Sequence, residues 1–206
     1  MKAPDSIDTL DTIEDLEALY ETAVPGAVTK VATAMTPLYR QWIEAARFVV
    51  LSTVGPEGTD ASPRGDDGPV VRIADDGTLW LPDWRGNNRI DSLRNVVRDG
   101  RVSLMFMVPG CNNVVRVNGT AVVSADPAVT TQFEQRGKNP KVVIITTIGE
   151  MYFQCAKALM RSELWTSPDV SDSVPTAGQF LKEVTDDFDA KSYDEGYPEY
   201  AKTKMW

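Results

Sequence analysis

The chain has 206 residues, 42% of them hydrophobic, a formal net charge of −9 and a mean hydropathy of −0.25. That length can bury a sizeable core in one domain with appendages, and the acidic balance argues against non-specific nucleic-acid binding, which depends on positive charge. Histidine is absent, which excludes Ser–His–Asp and Cys–His catalysis, His-based metal sites and His proton shuttles in one step.

In chain order, Asp11 and Glu14 read as caps of a short helix carrying Ile13, Leu16, Leu19 and Tyr20, which Pro25-Gly26 ends. A second helical pattern holds Val28, Val31 and Met35. Thr36-Pro37 then reads as cap and first residue of a segment with Leu38, Trp42 and Ile43. Residues 1–46 are expected to be helical packing without chemistry. A β-rich body runs over residues 47–166. FVVLSTV, Gly55-Pro56-Glu57-Gly58 and TDASPR predict one hairpin, and VVRIA, Asp75-Asp76-Gly77 and TLWL a second. RVSLMFMV, after an Arg-rich helix, is near-continuously apolar and reads as a strand buried on both faces. Pro109-Gly110 and Asn112-Asn113 turn the chain into VVRVNGTAVVS. Asp126-Pro127 starts a short helix to about Arg136, and KVVIITTIGEMYF is a long strand leading into the helix CAKALMRSEL. Six or seven antiparallel-type strands, with one helix between strands four and five, predict a mainly β, α+β fold, a closed or split barrel with N-terminal and flanking helices.

The remaining residues, 167–206, form an acidic C-terminal arm with one amphipathic piece around Phe180, Leu181 and Val184. It is expected to cross a dimer partner or to end the chain as a mobile tail. No apolar run reaches about 18 residues and no basic-plus-apolar leader opens the chain, so no membrane association is expected. Cys111 and Cys155 make neither a disulfide framework nor a CxxC site, so a reducing cytoplasm is the expected location, with no metal centre.

The organising stretch is Thr78–Arg101. An apolar strand stops at Pro82, which cannot donate to a ladder. Gly86, Asn87 and Asn88 turn the chain into a helical pattern with Ile90, Leu93 and Val97 on one face and Arg89, Arg94 and Arg98 around it. Free N–H groups at such a helix start, with Arg85 and Arg89 beside them, suit a phosphate; the alternative is an ordinary strand-to-helix connection with solvated arginines. Eight of the twelve arginines fall between Arg64 and Arg116, a window without lysine, and arginine's rigid fork suits phosphate.

Four motifs in order resemble the pyridoxamine 5′-phosphate oxidase-like (PNPOx-related) FMN-binding split-barrel family. They are Ser62-Pro63-Arg64-Gly65-Asp66, then Pro82-Asp83-Trp84-Arg85-Gly86-Asn87-Asn88-Arg89 followed by Asp91-Ser92-Leu93-Arg94-Asn95, then Val115-Arg116-Val117-Asn118-Gly119, and finally the segment from Cys155 to Trp165. The resemblance covers roughly residues 40–166 and implies FMN at a two-fold homodimer interface. It places the phosphate on Asn87, Asn88 and Arg89, with help from the strand carrying Val71 and Arg72. It lays Ser62, Pro63, Arg64, Gly65, Pro82 and Asp83 along the flavin and its ribityl chain. It has the partner close the site with Arg116 and Asn118 or with Lys157, Arg161 and Trp165. The residues alone leave alternatives open: Arg116 as a strand-surface cation, Lys157 and Arg161 as solvated or paired with acids, Trp165 as core, and Cys155 as an inert thiol.

Against that family's vitamin B6 oxidases, the chain has no late R-L-H-D-R-type motif, and Val114 stands where they carry Gln. Efficient pyridoxamine phosphate oxidation is therefore not expected. The first functional expectation is an FMN-dependent oxidoreductase on an unknown small substrate, the chemistry being the cofactor's. The second is a flavin-binding or redox-sensing protein without turnover, and a deazaflavin-dependent reductase is the third.

Overall fold

A computed structural model describes residues 7–206, which fall into two compact units, one ending at Val31 and the other spanning Ala32–Trp206. The first unit holds two single-turn helices, α1 (Ile13–Glu17) and α2 (Pro25–Thr29). Thr12, and not Asp11 or Glu14, caps α1: its hydroxyl accepts from the Asp15 N–H at 3.1 Å and donates to the Asp15 carboxylate at 2.7 Å. Pro25 opens a helix instead of ending one, because at the first helical position its missing N–H leaves no bond unmade.

In the second unit Thr36 caps α3 (Pro37–Ala45), with Pro37 in the first turn, as the sequence predicts. Seven strands follow: β1 (Phe48–Gly55), β2 (Gly58–Gly65), β3 (Arg72–Asp75), β4 (Thr78–Pro82), β5 (Arg101–Met107), β6 (Val114–Ser124) and β7 (Val143–Gln154). They form one antiparallel sheet in the order β2-β1-β5-β6-β7-β4-β3, with helix α4 (Asp91–Arg98) between β4 and β5. The two predicted hairpins are β1–β2 and β3–β4. The fold is the expected α+β split barrel: β2 and β3 end the sheet without pairing to each other.

Val49 and Leu51 of β1, Leu104 and Phe106 of β5, Val115 and Val117 of β6, and Ile144 and Met151 of β7 build the core. β5 is buried on alternate residues only, with Ser103, Met105 and Met107 half-buried, so the strand read as buried on both faces has one face outside the core. β6 and β7 slip register at Asn118/Gly119, where a Cβ on Gly119 would overlap the Thr147 carbonyl. Glycine is required there by close approach of backbone.

Two helices differ from their sequence reading. On α4 the buried residues are Ser92, Asn95 and Val96, while Ile90 and Val97 are exposed. Ser92 donates to the Asp60 carboxylate at 2.5 Å and Asn95 Nδ2 to Thr53 Oγ1 at 3.1 Å, so hydrogen bonds fix the inward face. Helix α5 covers only Pro127–Thr130, well short of Arg136; Arg136 and Gly137 then turn left-handed at φ 52° and 75°. After β7, α6 (Lys157–Arg161) precedes α7 (Ala177–Val184) and α8 (Ala190–Lys204). The arm is thus built structure. A capping box of Thr176 and Gln179 starts α7, and Asp194 of α8 accepts from the Gly178 N–H at 2.8 Å and from the Thr176 hydroxyl at 2.5 Å. Among the described residues no helix is long and apolar enough to cross a membrane.

Candidate functional site

A cavity of about 1190 Å³ opens at the split of the barrel, between edge strand β2 and the chain leaving β4. Register explains which side chains face it. Asp60, Ser62 and Arg64 pair with Thr53, Leu51 and Val49, all buried, so these β2 residues carry their side chains on the core face of the sheet. Among the described residues no strand covers β2 on its outer edge, and the face that elsewhere is core becomes cavity wall there. Ser62, Pro63, Arg64 and Gly65 all line it.

The opposite wall is the corner after β4. Pro82 ends the ladder, and the Asp83 N–H donates to the Val142 carbonyl at 3.0 Å, which holds the corner in place. An ion pair between Arg64 and Asp83 spans the split, with side chains only 19% and 21% exposed. Arg64 Nε is buried without an acceptor among the described residues, so the guanidinium has bonding capacity left beside the cavity. Trp84 Nε1 donates to the Asp66 carboxylate at 2.6 Å, a second tie across the split.

Asn87, Asn88 and Arg89 line the cavity as well, but on a loop and not at a helix start. The Arg89 N–H donates to Asn87 Oδ1 at 3.1 Å, while Asn88 and Ile90 take left-handed φ of 61° and 54°. The helix begins at Asp91, whose carboxylate already occupies the positive end of its dipole and takes the Arg89 Nε–H at 2.9 Å. Arg89, 77% exposed, spends only its Nε–H on Asp91, and its terminal N–H groups are unbonded among the described residues. Arg85 and Lys141, which also line the cavity, make no ion pair among the described residues.

The other sequence candidates lie outside this cavity. Val71 is a core residue at 3% exposure. Arg72 donates to Gln132 at 2.8 Å and stands 5.9 Å over the Trp80 ring. Arg116 sits 5.4 Å over Tyr152 and reaches Gln154 at 3.4 Å, and Asn118 bridges Ser103 and Glu150, each at 2.8 Å. Both belong to the sheet face turned from the core, in rows Val50–Met105–Arg116–Tyr152 and Ser52–Ser103–Asn118–Glu150. Lys157 and Arg161 open and close α6, and Trp165 Nε1 donates to the Cys111 carbonyl at 2.8 Å. Residues that sequence reasoning missed are Lys138 and Lys141 from the β7 approach and Tyr197, Met205 and Trp206 from the arm. Their only sequence signal is the aromatic ending of an otherwise acidic tail.

No curated protein matches this chain. Among solved structures, HupZ of Group A Streptococcus aligns at 18% identity over 58% of this chain and 93% of its own, with a TM-score of 0.48. An FMN-binding protein from Syntrophomonas wolfei aligns at 13% identity over 56% and 88%, with a TM-score of 0.42. General Stress Protein 26 of Bacillus anthracis aligns at 20% identity over 55% and 88%, with a TM-score of 0.39. Residues 35–155, more than half of the chain, match the family profile described as pyridoxamine 5′-phosphate oxidase. That span runs from the cap of α3 through the whole sheet and contains both walls of the split, so the chain belongs to the pyridoxamine 5′-phosphate oxidase family.

Proposed function

We propose that this protein binds FMN in the split-barrel cavity and serves as an oxidoreductase on a small molecule. The observation that carries the reading is the convergence of the Ser62–Gly65 and Pro82–Arg89 segments, distant in sequence, on one cavity. At about 1190 Å³ it exceeds the several hundred Å³ of an ordinary ligand cleft and leaves room for a cofactor and a second molecule. The residues fit such a ligand. Arg64 Nε has no acceptor among the described residues, Arg85 and Lys141 offer cationic charge to a phosphate, and Arg89 lies within the same corner. Pro82 and Trp84 supply apolar wall for a ring.

Bound flavin would supply the redox chemistry by accepting and passing on electron pairs. The chain's own work is then to bind and orient. Arg64, held by Asp83, presents a fixed donor; the Asp83 corner sets the width of the split; Asn87, Asn88 and Arg89 hold the anionic end. A homodimer extends the reading: Arg116 and Asn118, on the face opposite the core, are positioned to meet a partner subunit, together with half-buried Met105 and Met107. Free Cys111 and Cys155 suit a reducing cytoplasm.

The test is the visible spectrum and cofactor mass of the purified protein, followed by reduction with NADH or NADPH and reoxidation. Bound FMN with steady turnover supports the oxidoreductase. FMN without turnover supports a binding or sensing role, and a deazaflavin mass replaces FMN as the cofactor. Pyridoxamine phosphate is expected to be oxidised slowly or not at all; turnover of about one per second or faster would sink that expectation. Light scattering of the flavin-loaded protein should give a dimer at micromolar concentration, and a monomer refutes the shared interface.

A further inference from the structure

The cavity has a third wall that neither motif supplies, made by Tyr197, Met205 and Trp206 of the C-terminal arm. This arm is tied down by a closed ring of contacts. Asp66, just past β2, accepts from Trp84 Nε1 at 2.6 Å and from Gln135 Nε2 at 2.9 Å. Gln135 and Lys138 exchange backbone hydrogen bonds at 2.9 and 3.0 Å around their turn. Lys138 Nζ donates to the Trp206 carbonyl oxygen at 3.0 Å, and Trp206 stands edge-on to Trp84, centroids 5.4 Å apart and planes at 89°. The ring Asp66–Gln135–Lys138–Trp206–Trp84 thus fastens the arm to the split of the barrel.

One buried side-chain polar atom in this ring has no partner among the described residues. Trp84 Nε1 is satisfied by Asp66, whereas Trp206 Nε1 is buried without an acceptor among the described residues. Buried N–H groups are normally paired, and an orphan raises the free energy of the arrangement that contains it. Trp206 lines the cavity, so a shift of its indole as a ligand enters would bring Nε1 to an acceptor there. An isoalloxazine ring carries carbonyl oxygens and ring nitrogens on its rim, acceptors of the required kind, and a flat surface that pairs with indole.

We propose that Trp206 is a ligand-contacting residue of this cavity and that α8 is the strap carrying it. The arm closes over the ring of the bound ligand, and Trp206 Nε1–H donates to an acceptor on that ring. Lys138 sets the closed position through its bond to the Trp206 carbonyl. The proposal rests on the flavin reading and adds to it the residue that shields the ring from solvent.

The experiment uses the full chain with FMN as probe, and three variants, Trp206→Phe, Trp206→Ala and Lys138→Ala, each first shown by circular dichroism to be folded. Trp206→Phe keeps the aromatic wall and removes the donor, so FMN affinity falls about two- to tenfold. Trp206→Ala removes both and falls further, mainly through faster release. Lys138→Ala also speeds release. FMN slows amide hydrogen exchange across residues 190–206 of the wild type, and does so less in Trp206→Ala. Variants that all stay within about twofold of wild type in affinity and release, with exchange of 190–206 unmoved by FMN, overturn the strap alone. A wild type that does not bind FMN overturns the flavin reading and the strap together.

Discussion

Removing the Asp83 carboxylate tests whether the split of the barrel is held by the Arg64–Asp83 pair. In Asp83→Ala the backbone bond from the Asp83 N–H to Val142 survives, so the corner keeps its main-chain anchor and only the carboxylate is lost. Arg64, 19% exposed and with no acceptor at Nε among the described residues, is then left as a charge without its counter-ion. Breaking a buried pair in this way costs about 3–5 kcal/mol. Water reaches about a fifth of each side chain here and screens part of the loss, so about 2–3 kcal/mol is expected. In a chain of this size each kcal/mol moves the melting temperature by about 2–4 °C, which gives a fall of about 4–12 °C. The assay is denaturant and thermal unfolding of the ligand-free protein at pH 7, beside the double variant Arg64→Met/Asp83→Leu. The double variant should recover most of the loss, because apolar replacement of such a pair is often near neutral. A change below about 0.5 kcal/mol in Asp83→Ala, or a double variant no better than the single one, would refute the view that this pair holds the split.

Arg89→Ala should weaken FMN about two- to tenfold, a modest effect because the side chain is 77% exposed and shares its charge with Asp91; equilibrium titration that shows no change would put the phosphate elsewhere. Gly119→Ala should destabilise by about 1–3 kcal/mol, since a Cβ there meets the Thr147 backbone, which cannot swing aside as a side chain can; the denaturation midpoint reads it. Asp189 caps α8, and its hydrogen bonds from the Ser192 side chain and then its backbone hold the carboxyl below the ordinary 3.8. With the folded value lowered, the cap's contribution is complete above that ordinary value and is lost as pH falls through the folded one. Hydrogen exchange of residues 190–206, corrected for intrinsic rates, should therefore hold steady from neutral pH to about 4.5 and rise below it; an Asp189→Ala variant should lose this dependence.

Strands were legible because their signal is local. The β-branched and apolar run FVVLSTV and turn chemistry at Gly55-Pro56-Glu57-Gly58 specify a hairpin without reference to anything else, and β1–β2 pairs end to end as they imply. Helix α4 was misread because apolar period is a poor guide where the inward face is polar. Ser92 and Asn95 are buried since Asp60 and Thr53 await them, leaving Ile90 to serve as a left-handed cap and Val97 to face outward. The same limit explains β5, where a near-continuous apolar run overstates burial: Met105 and Met107 lie on the face turned from the core and are only half-buried.

The site divides along the same line. Ser62–Gly65 and Pro82–Arg89 could be found as motifs, since each is contiguous and each turns its residues toward one place. That they share a cavity is a property of the sheet: β2 and β4 lie near opposite ends of the strand order, and the curvature that brings them together is spread over five intervening pairings. The third wall leaves still less trace. Nine acids in the tail read as an arm across a partner or a mobile end, yet α8 is held at Asp194 to α7 and at Trp206 to Lys138, 68 residues earlier. A single lysine in a turn and a tryptophan at the end of an acidic segment carry no mutual signal until the fold sets them 3.0 Å apart. Net charge therefore misleads about this arm. Its acids face solvent or cap helices, while three less conspicuous residues, Tyr197, Met205 and Trp206, line the cavity, and Trp206 carries the tie to Lys138.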